Sequence, residues 1–352
     1  MKSRLKRIAF AVAIAFLALT ILNASWIAPE PKEPVKLIAH RGLAQEFPRA
    51  GIGRDTCTAT LIEQPYHDYL ENTLAGVQRA FKLGVSMAEV DIAPTSDGEI
   101  VLFHDWTLDC RTDGSGPVRD KTLAELKALD IGHGYTADGG KIYPFRGKGV
   151  GQMPEIGELL SQLYGRERLM FNFKSDNPAE ADLLAAKLKE AGRDPVRKRD
   201  AFYGHPAPVA RIRELYPDAW AWSVEGARQC SSDYVLYGWT GYLPQSCRGE
   251  TMVIPLNRQY AFWGWPNRLI DRMDSHGGHV IVTGPQVDGE PNTGLILPEQ
   301  FTQVPSSFNG YIWIEDAFTM QPALRSGYDD RTVQEWEASE AALKRRRAAR
   351  SD

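Results

Sequence analysis

Short apolar runs recur along the chain, separated by amphipathic stretches, and this alternation of two periods is its main structural signal. Runs rich in β-formers stand at Val35–Ala39, Ala88–Ile92, Leu169–Lys174, Ala201–Tyr203, Ala219–Ser223, Met252–Pro255, His279–Val282 and Tyr311–Ile314. A further run, Ile100–Phe103, follows the second across Ser96-Asp97-Gly98, a turn signal that makes it the returning arm of a hairpin. Helical patterns fill most of the remaining intervals. Leu74, Val77 and Phe81 mark one, closed by Gly84, and Leu183, Leu184 and Leu188 mark another from Ala179 to Ala191. Asn72 or Thr73 is the natural N-cap of the first, and Thr122 with Glu125 forms a capping box opening a short helix. Eight strands alternating with helices favour an α/β fold, a TIM-type (β/α)8 barrel, over a doubly wound sheet.

The barrel is expected over residues 31–330. Ahead of it, Lys2, Arg4, Lys6 and Arg7 precede an apolar run from Ile8 to Leu22 that fades by Ile27. Its length lies between a signal-peptide core and a short membrane anchor. Leu22-Asn23-Ala24 is a poor cleavage site because large residues flank it, so residues 1–30 read as an uncleaved signal anchor, with secretion after cleavage as the alternative. Positive charge before the run places the body across the membrane, on the periplasmic or extracellular side. The Pro-rich stretch Ala28–Pro34 reads as a stiff spacer holding that body off the bilayer. Residues 331–352 read as a polar helical tail whose basic end, Lys344 to Arg347, is a solvated face, with contact to anionic lipid as the alternative.

A net charge of −4 with mixed signs excludes a nucleic-acid binder, which would carry a basic face. The four cysteines contain no Cys-x-x-Cys spacing, and export would permit disulfides. Three pairings are open. Cys57 with Cys110, stapling two loops near the candidate site, and Cys230 with Cys247, closing a local loop, are preferred. Two aromatic-dense stretches, Tyr234–Gly241 and Tyr260–Pro266, read as core or else as an apolar rim at the barrel mouth.

Chemistry concentrates at strand ends. Glu89 and Asp91 share one face of the hairpin's first strand, two carboxylates within reach of one cation, and the return strand ends on His104-Asp105. His40-Arg41-Gly42 directly follows the first buried strand, poorly placed for packing but well placed for a barrel mouth. Singly, each has a bland explanation: solvated hairpin acids, a structural histidine, or a Glu71 that merely favours a helix dipole. Together, a divalent metal beside imidazole is the apparatus of assisted hydrolysis at phosphorus or a carbonyl.

In order, His40-Arg41-Gly42, Glu71-Asn72-Thr73, Glu89-x-Asp91, Asp97-Gly98, His104-Asp105 and the run Arg111–Gly116 resemble the glycerophosphodiester phosphodiesterase family, and Thr122–Asp130 matches as well. The resemblance covers residues 35–175 and extends beyond them. It implies a TIM-type barrel with a small insertion after the hairpin, here about residues 106–166. It further implies His40 and His104 as acid and base, Arg41 on the phosphate, Glu71 supporting the site, and a divalent metal, Mg²⁺ or Ca²⁺, on Glu89 and Asp91. The family's third metal ligand opens a Glu-x-Lys pair on a later strand; here that position is Asn172, with Lys174 retained to stabilise phosphoryl charge. An amide oxygen can bind such a cation without adding charge, so Asn172 is the expected ligand, and Asp176 or Glu315 are the acids that could replace it. The implied reaction is hydrolysis of a glycerophosphodiester to glycerol 3-phosphate and an alcohol, with the neighbouring glycerol hydroxyl attacking first to form a cyclic phosphate. The segment at Val280–Pro285 replaces the family's Trp-Thr strand, which bears on substrate identity. A lysophospholipase D-like activity at the membrane is the alternative, and a non-catalytic phosphodiester-binding barrel the third reading. His205, His276 and His279 carry no motif and read as structural.

Overall fold

The computed structural model describes residues 2–29, 33–53, 56–290 and 293–351. Nine strands form one sheet: β1 (Lys36–Ala39), β2 (Met87–Pro94), β3 (Ile100–Leu102), β4 (Leu169–Phe173), β5 (Ala201–Gly204), β6 (Trp220–Ser223), β7 (Thr251–Pro255), β8 (His279–Thr283) and β9 (Tyr311–Ile314). Eight run parallel in the order β6-β5-β4-β2-β1-β9-β8-β7, and β3 returns antiparallel against β2. The sheet curls into a nearly closed barrel. Among the described residues no backbone ladder joins β6 to β7; Trp220 bridges the seam, its Nε1 donating to Thr251 Oγ1 at 2.8 Å.

The helices are α1 (Lys2–Leu22), α2 (Leu74–Lys82), α3 (Leu123–Lys127), α4 (Ile156–Ser161), α5 (Ala179–Glu190), α6 (Pro195–Lys198), α7 (Pro206–Leu215), α8 (Val224–Tyr237), α9 (Asn267–Asp274), α10 (Ala317–Leu324) and α11 (Val333–Ser351). Thr73, not Asn72, caps α2, accepting from Gly76 N at 3.1 Å. The Thr122–Glu125 capping box opens α3 as expected.

Strand parity decides which side chains reach the interior. In β2, Ala88, Val90 and Ile92 pack outward with Leu159, Leu184 and Val209, which leaves Met87, Glu89 and Asp91 pointing inward. In β4 the same alternation sends Leu169, Phe171 and Phe173 outward and Met170 and Asn172 inward. Each fully buried outward Val, Ile, Leu or Phe contributes about 1.5–3 kcal/mol, so slipping the register by one position would both expose that face and bury the acids in it. Register then sets the layers. Asp91 lies level with Asn172, and Asn172 with Tyr203. β1 lies between β2 and β9, with Ile38 opposite both Met87 and Trp313. The next inward position, His40, therefore falls between Glu89 and Glu315.

The segment after the hairpin has its own small core of Leu108, Val118, Leu126, Ile131 and Phe145, packed on Ala59 and Ile62 of the long β1–α2 loop. Ile156 and Leu159 of α4 belong instead to the barrel's packing. Both preferred disulfides are present, Cys57–Cys110 and Cys230–Cys247. The first spans a sequence separation of 53 and pins the long loop to the insertion. Replacing Cys57 and Cys110 together by alanine should lower unfolding stability by up to about 4 kcal/mol, the loop-closure entropy of such a span, as read from denaturant midpoints.

The basic end of the tail is exposed at Lys344, Arg345 and Arg347, but Arg346 is an exception. Arg346 on α11 is 4% exposed and inserts beside the mouth. Its Nη1 donates to Asp316 Oδ2 at 2.7 Å, its Nη2 to Tyr66 Oη at 2.7 Å, and its Nε to Glu63 Oε2 at 2.9 Å. Arg346→Ala would strand the buried Asp316 carboxylate and is expected to destabilise the protein by about 3 kcal/mol in urea unfolding.

Candidate active site

The site is built at the strand C-terminal ends. Immediately past β1 the backbone turns sharply: Arg41 has φ 56° and Gly42 φ 73°. A Cβ at Gly42 would meet the Val77 backbone at 3.0 Å, so His-Arg-Gly ends in glycine for steric reasons. Asn72 is also left-handed, at φ 55°, and its N–H donates to Arg41 O at 3.0 Å, locking the two strained residues together.

That lock aims the charges. Arg41 donates through Nη1 to Glu71 Oε1 at 2.9 Å, and its Nε lies 3.3 Å from Asp91 Oδ2. Its backbone N–H donates to Glu89 Oε2 at 2.9 Å. Glu71 also pairs with Arg111 Nε at 3.2 Å, so it holds two guanidinium groups. Burial opposes the ionised form of Glu71, but Arg111 and Arg41 outweigh it and lower its pKa.

Asp91 is the hub. Its Oδ1 receives Asn172 Nδ2 at 2.8 Å and faces Lys174 Nζ at 3.3 Å; its Oδ2 receives Asn72 Nδ2 at 3.0 Å. Burial would raise its pKa, yet Lys174, His104 and Arg41 pull it well below the usual carboxylate range. Glu89, fully buried, receives Tyr203 Oη on Oε1 at 2.7 Å. Burial, then the neighbouring Asp91 charge, raises its pKa.

The two histidines stand in opposite electrostatic settings. His40 Nδ1 lies 2.5 Å from Glu315 Oε2, and its Nε2 is 4.0 Å from Glu89 Oε2. Burial lowers its proton affinity, but the Glu315 contact more than compensates, and the net shift is upward. His104 Nδ1 lies 2.7 Å from Asp105 Oδ1. There burial, then the Arg41 charge, prevails over the nearby acids and brings the pKa down to about 4. At neutral pH His40 holds an added proton more readily, and His104 stays a neutral imidazole with Nε2 as its free acceptor.

Every residue assigned to the site, His40, Arg41, Glu71, Glu89, Asp91, His104, Asn172 and Lys174, contributes to this mouth. Asp176 is exposed on the loop after β4. Glu315, the other acid that could replace Asn172, faces His40 with one oxygen, and Gly294 N donates to the other at 2.5 Å. Sequence reasoning missed this orienting role, along with Tyr203 on Glu89 and the Asn72 clamp on Asp91. The Glu-Asn-Thr motif contained the signal for Asn72, but a helix start explained it more cheaply.

A hard divalent cation fits the donor set in part. Each Glu89 oxygen carries one hydrogen bond and keeps acceptor capacity, and two adjacent buried carboxylates gain from a cation between them. Among the described residues no group of three His, Cys, Asp or Glu is arranged to hold a metal. In this structure Asn172 turns its nitrogen, not its oxygen, toward Asp91.

Fold and site together define a (β/α)8-barrel protein with two histidines over buried carboxylates, and with cationic side chains suited to an anionic ligand. The model of the glycerophosphoryl diester phosphodiesterase family matches residues 40–217, half of the chain, and the chain belongs to that family. It is 48% identical over 62 residues to a glycerophosphodiester phosphodiesterase of Caldanaerobacter subterraneus, covering 18% of this chain and 26% of that protein. It is 31% identical over 125 residues to one of Bacillus subtilis, covering 34% of this chain and 41% of the relative, so these matches span less than half of either relative. The glycerophosphoryl diester phosphodiesterase domain of a Mycobacterium tuberculosis protein superposes with TM-score 0.59 at 17% identity, over 82% of this chain and 98% of that one. An Oleispira antarctica phosphodiesterase, solved with the product sn-glycerol-3-phosphate, gives TM-score 0.51 at 19% identity, over 86% and 99%. These two likenesses define the barrel.

Proposed function

We propose that the chain hydrolyses small glycerophosphodiesters to glycerol 3-phosphate and an alcohol. The observation that carries this is the pair of histidines with opposed proton affinities flanking Glu89 and Asp91. His104 accepts the proton of the attacking hydroxyl, from the substrate's own glycerol or from water, and His40 delivers a proton to the leaving alkoxide oxygen. If the glycerol hydroxyl attacks first, the cyclic phosphate is opened by water with the two roles exchanged. Arg41 and Lys174 neutralise the non-bridging oxygens, while Glu71 and Arg111 hold Arg41 in place. Glu315 orients His40 and Tyr203 orients Glu89.

Glu89, Asp91 and the amide of Asn172 would hold Mg²⁺ or Ca²⁺, which when bound supplies Lewis-acid stabilisation of phosphoryl charge. The basic residues at the start of α1, the helix's exposed apolar surface and the two disulfides support a membrane-anchored protein with its barrel outside the cytoplasm. Secretion after cleavage near residue 24 remains the alternative location.

The test is release of glycerol 3-phosphate from glycerophosphocholine and glycerophosphoglycerol by the full chain in mild detergent, with Mg²⁺, Ca²⁺ or chelator. Release that chelator abolishes supports the reading. Absence of release with either metal sinks it and leaves the lysolipid activity and then the binding-only barrel.

A further inference from the structure

We propose that the face of the barrel at the strand starts rests on lipid headgroups, so that the catalytic mouth opens away from the bilayer and takes its diester from water. This rests on reading α1 as a retained anchor and on the site proposed above. In a parallel barrel each helix returns the chain to the start of the next strand, so the α8–β7 connection lies opposite the mouth. The end of α8 carries Leu236 and Tyr237 and the connection carries Trp239 and Tyr242, all exposed, with Leu236 at 60%. These four form neither core nor a mouth rim, whereas Tyr234 of the same aromatic stretch is fully buried in the core, as one reading of that stretch expected.

The apolar helix is seated on this same connection. Asn23, just past α1, donates through Nδ2 to Leu19 O and to Trp239 O, both at 2.8 Å. Asn267 N donates to Ser25 Oγ at 3.0 Å. Trp26, beside these contacts, is 81% exposed. The domain thus meets the anchor at residues 23–27, ahead of the Pro-rich stretch that read as a stand-off spacer; residues 30–32 of that stretch lie outside the described residues. A membrane around α1 would bring Trp26, Trp239 and Tyr242 to headgroup depth, where aromatic rings are favoured, with the exposed Arg248 on the same α8–β7 connection for lipid phosphate.

The chain then enters β1 at Lys36, again at the strand-start end, whereas His40, Lys174 and Glu315 lie past the strand ends. Strands of this length separate the two faces by about 15 Å of backbone. A lysolipid diester held at headgroup depth does not reach such a mouth, while a soluble glycerophosphodiester does.

The experiment reconstitutes the full chain in phosphatidylethanolamine–phosphatidylglycerol vesicles containing lipid brominated high on the acyl chain, and reads tryptophan quenching. The quenched fraction should fall by about two-fold or more in Trp26→Phe/Trp239→Phe and stay unchanged in Trp106→Phe, a reporter beside the mouth. Quenching that depends on Trp106, or that ignores the double variant, overturns the orientation; so does a mature chain lacking residues 1–22. In the same vesicles, glycerophosphoglycerol should be hydrolysed with kcat/KM about 100-fold above that for lysophosphatidylglycerol, and a preference for the lysolipid overturns the substrate inference. Failure on both substrates would count against the proposed activity, while the quenching would still report the seating.

Discussion

His40→Ala should lower kcat/KM for a glycerophosphodiester by about a thousand-fold or more, and Glu315→Gln should reproduce part of that loss in a pH-dependent way. Glu315 raises the proton affinity of His40 against the effect of burial. An acid works only while protonated, so the alkaline limb of the pH–rate profile reports that raised value. Glutamine keeps the shape but removes the charge, and the limb should move to lower pH. The rate would then fall most above neutrality and little near pH 5. The acid limb belongs to His104, which must be neutral and whose pKa lies at about 4, so Glu315→Gln should leave it in place. An alkaline limb unmoved by the substitution would assign Glu315 a merely structural role and remove His40 as the acid.

Asn172→Glu should tighten divalent-metal binding by about 100-fold or more, measured by calorimetry with Mg²⁺ or by the Mn²⁺ resonance signal, because it adds an anionic oxygen beside two others. Asn172 already touches Asp91 Oδ1, and Lys174 lies 3.3 Å from that oxygen, so the new carboxylate meets a cation even without metal. Isothermal binding separates this effect from activity. Unchanged affinity would mean that the third donor comes from elsewhere in the mouth, with Glu71 the nearest remaining carboxylate on the Arg41 network. The chain would then not depend on Asn172 as ligand.

Much of the site was legible because strand parity is a local property. Glu89 and Asp91 share a face by spacing alone, and Ser96-Asp97-Gly98 returns the chain so that His104 ends near them. Family resemblance then named Arg41, Glu71 and Lys174. The loop disulfide was also accessible, since only three pairings existed. Less visible were groups whose roles depend on partners distant in sequence. Glu315 lies 275 residues from His40, and only the β1–β9 register sets them side by side. Arg346 read as part of a solvated basic end because nothing in its helix reveals that Asp316 and Tyr66 wait beneath it.

The sequence by itself determined the alternation of elements, the inward carboxylates, the hairpin and the histidine-bearing strand ends, because periodicity and turn chemistry act over a few residues. Only the tertiary structure decided which histidine has its proton affinity raised, which way the Asn172 amide faces, and on which end of the barrel the apolar N-terminal helix sits. Those outcomes depend on burial and on charges brought together by barrel closure, and the energy of a charge depends on its surroundings in space.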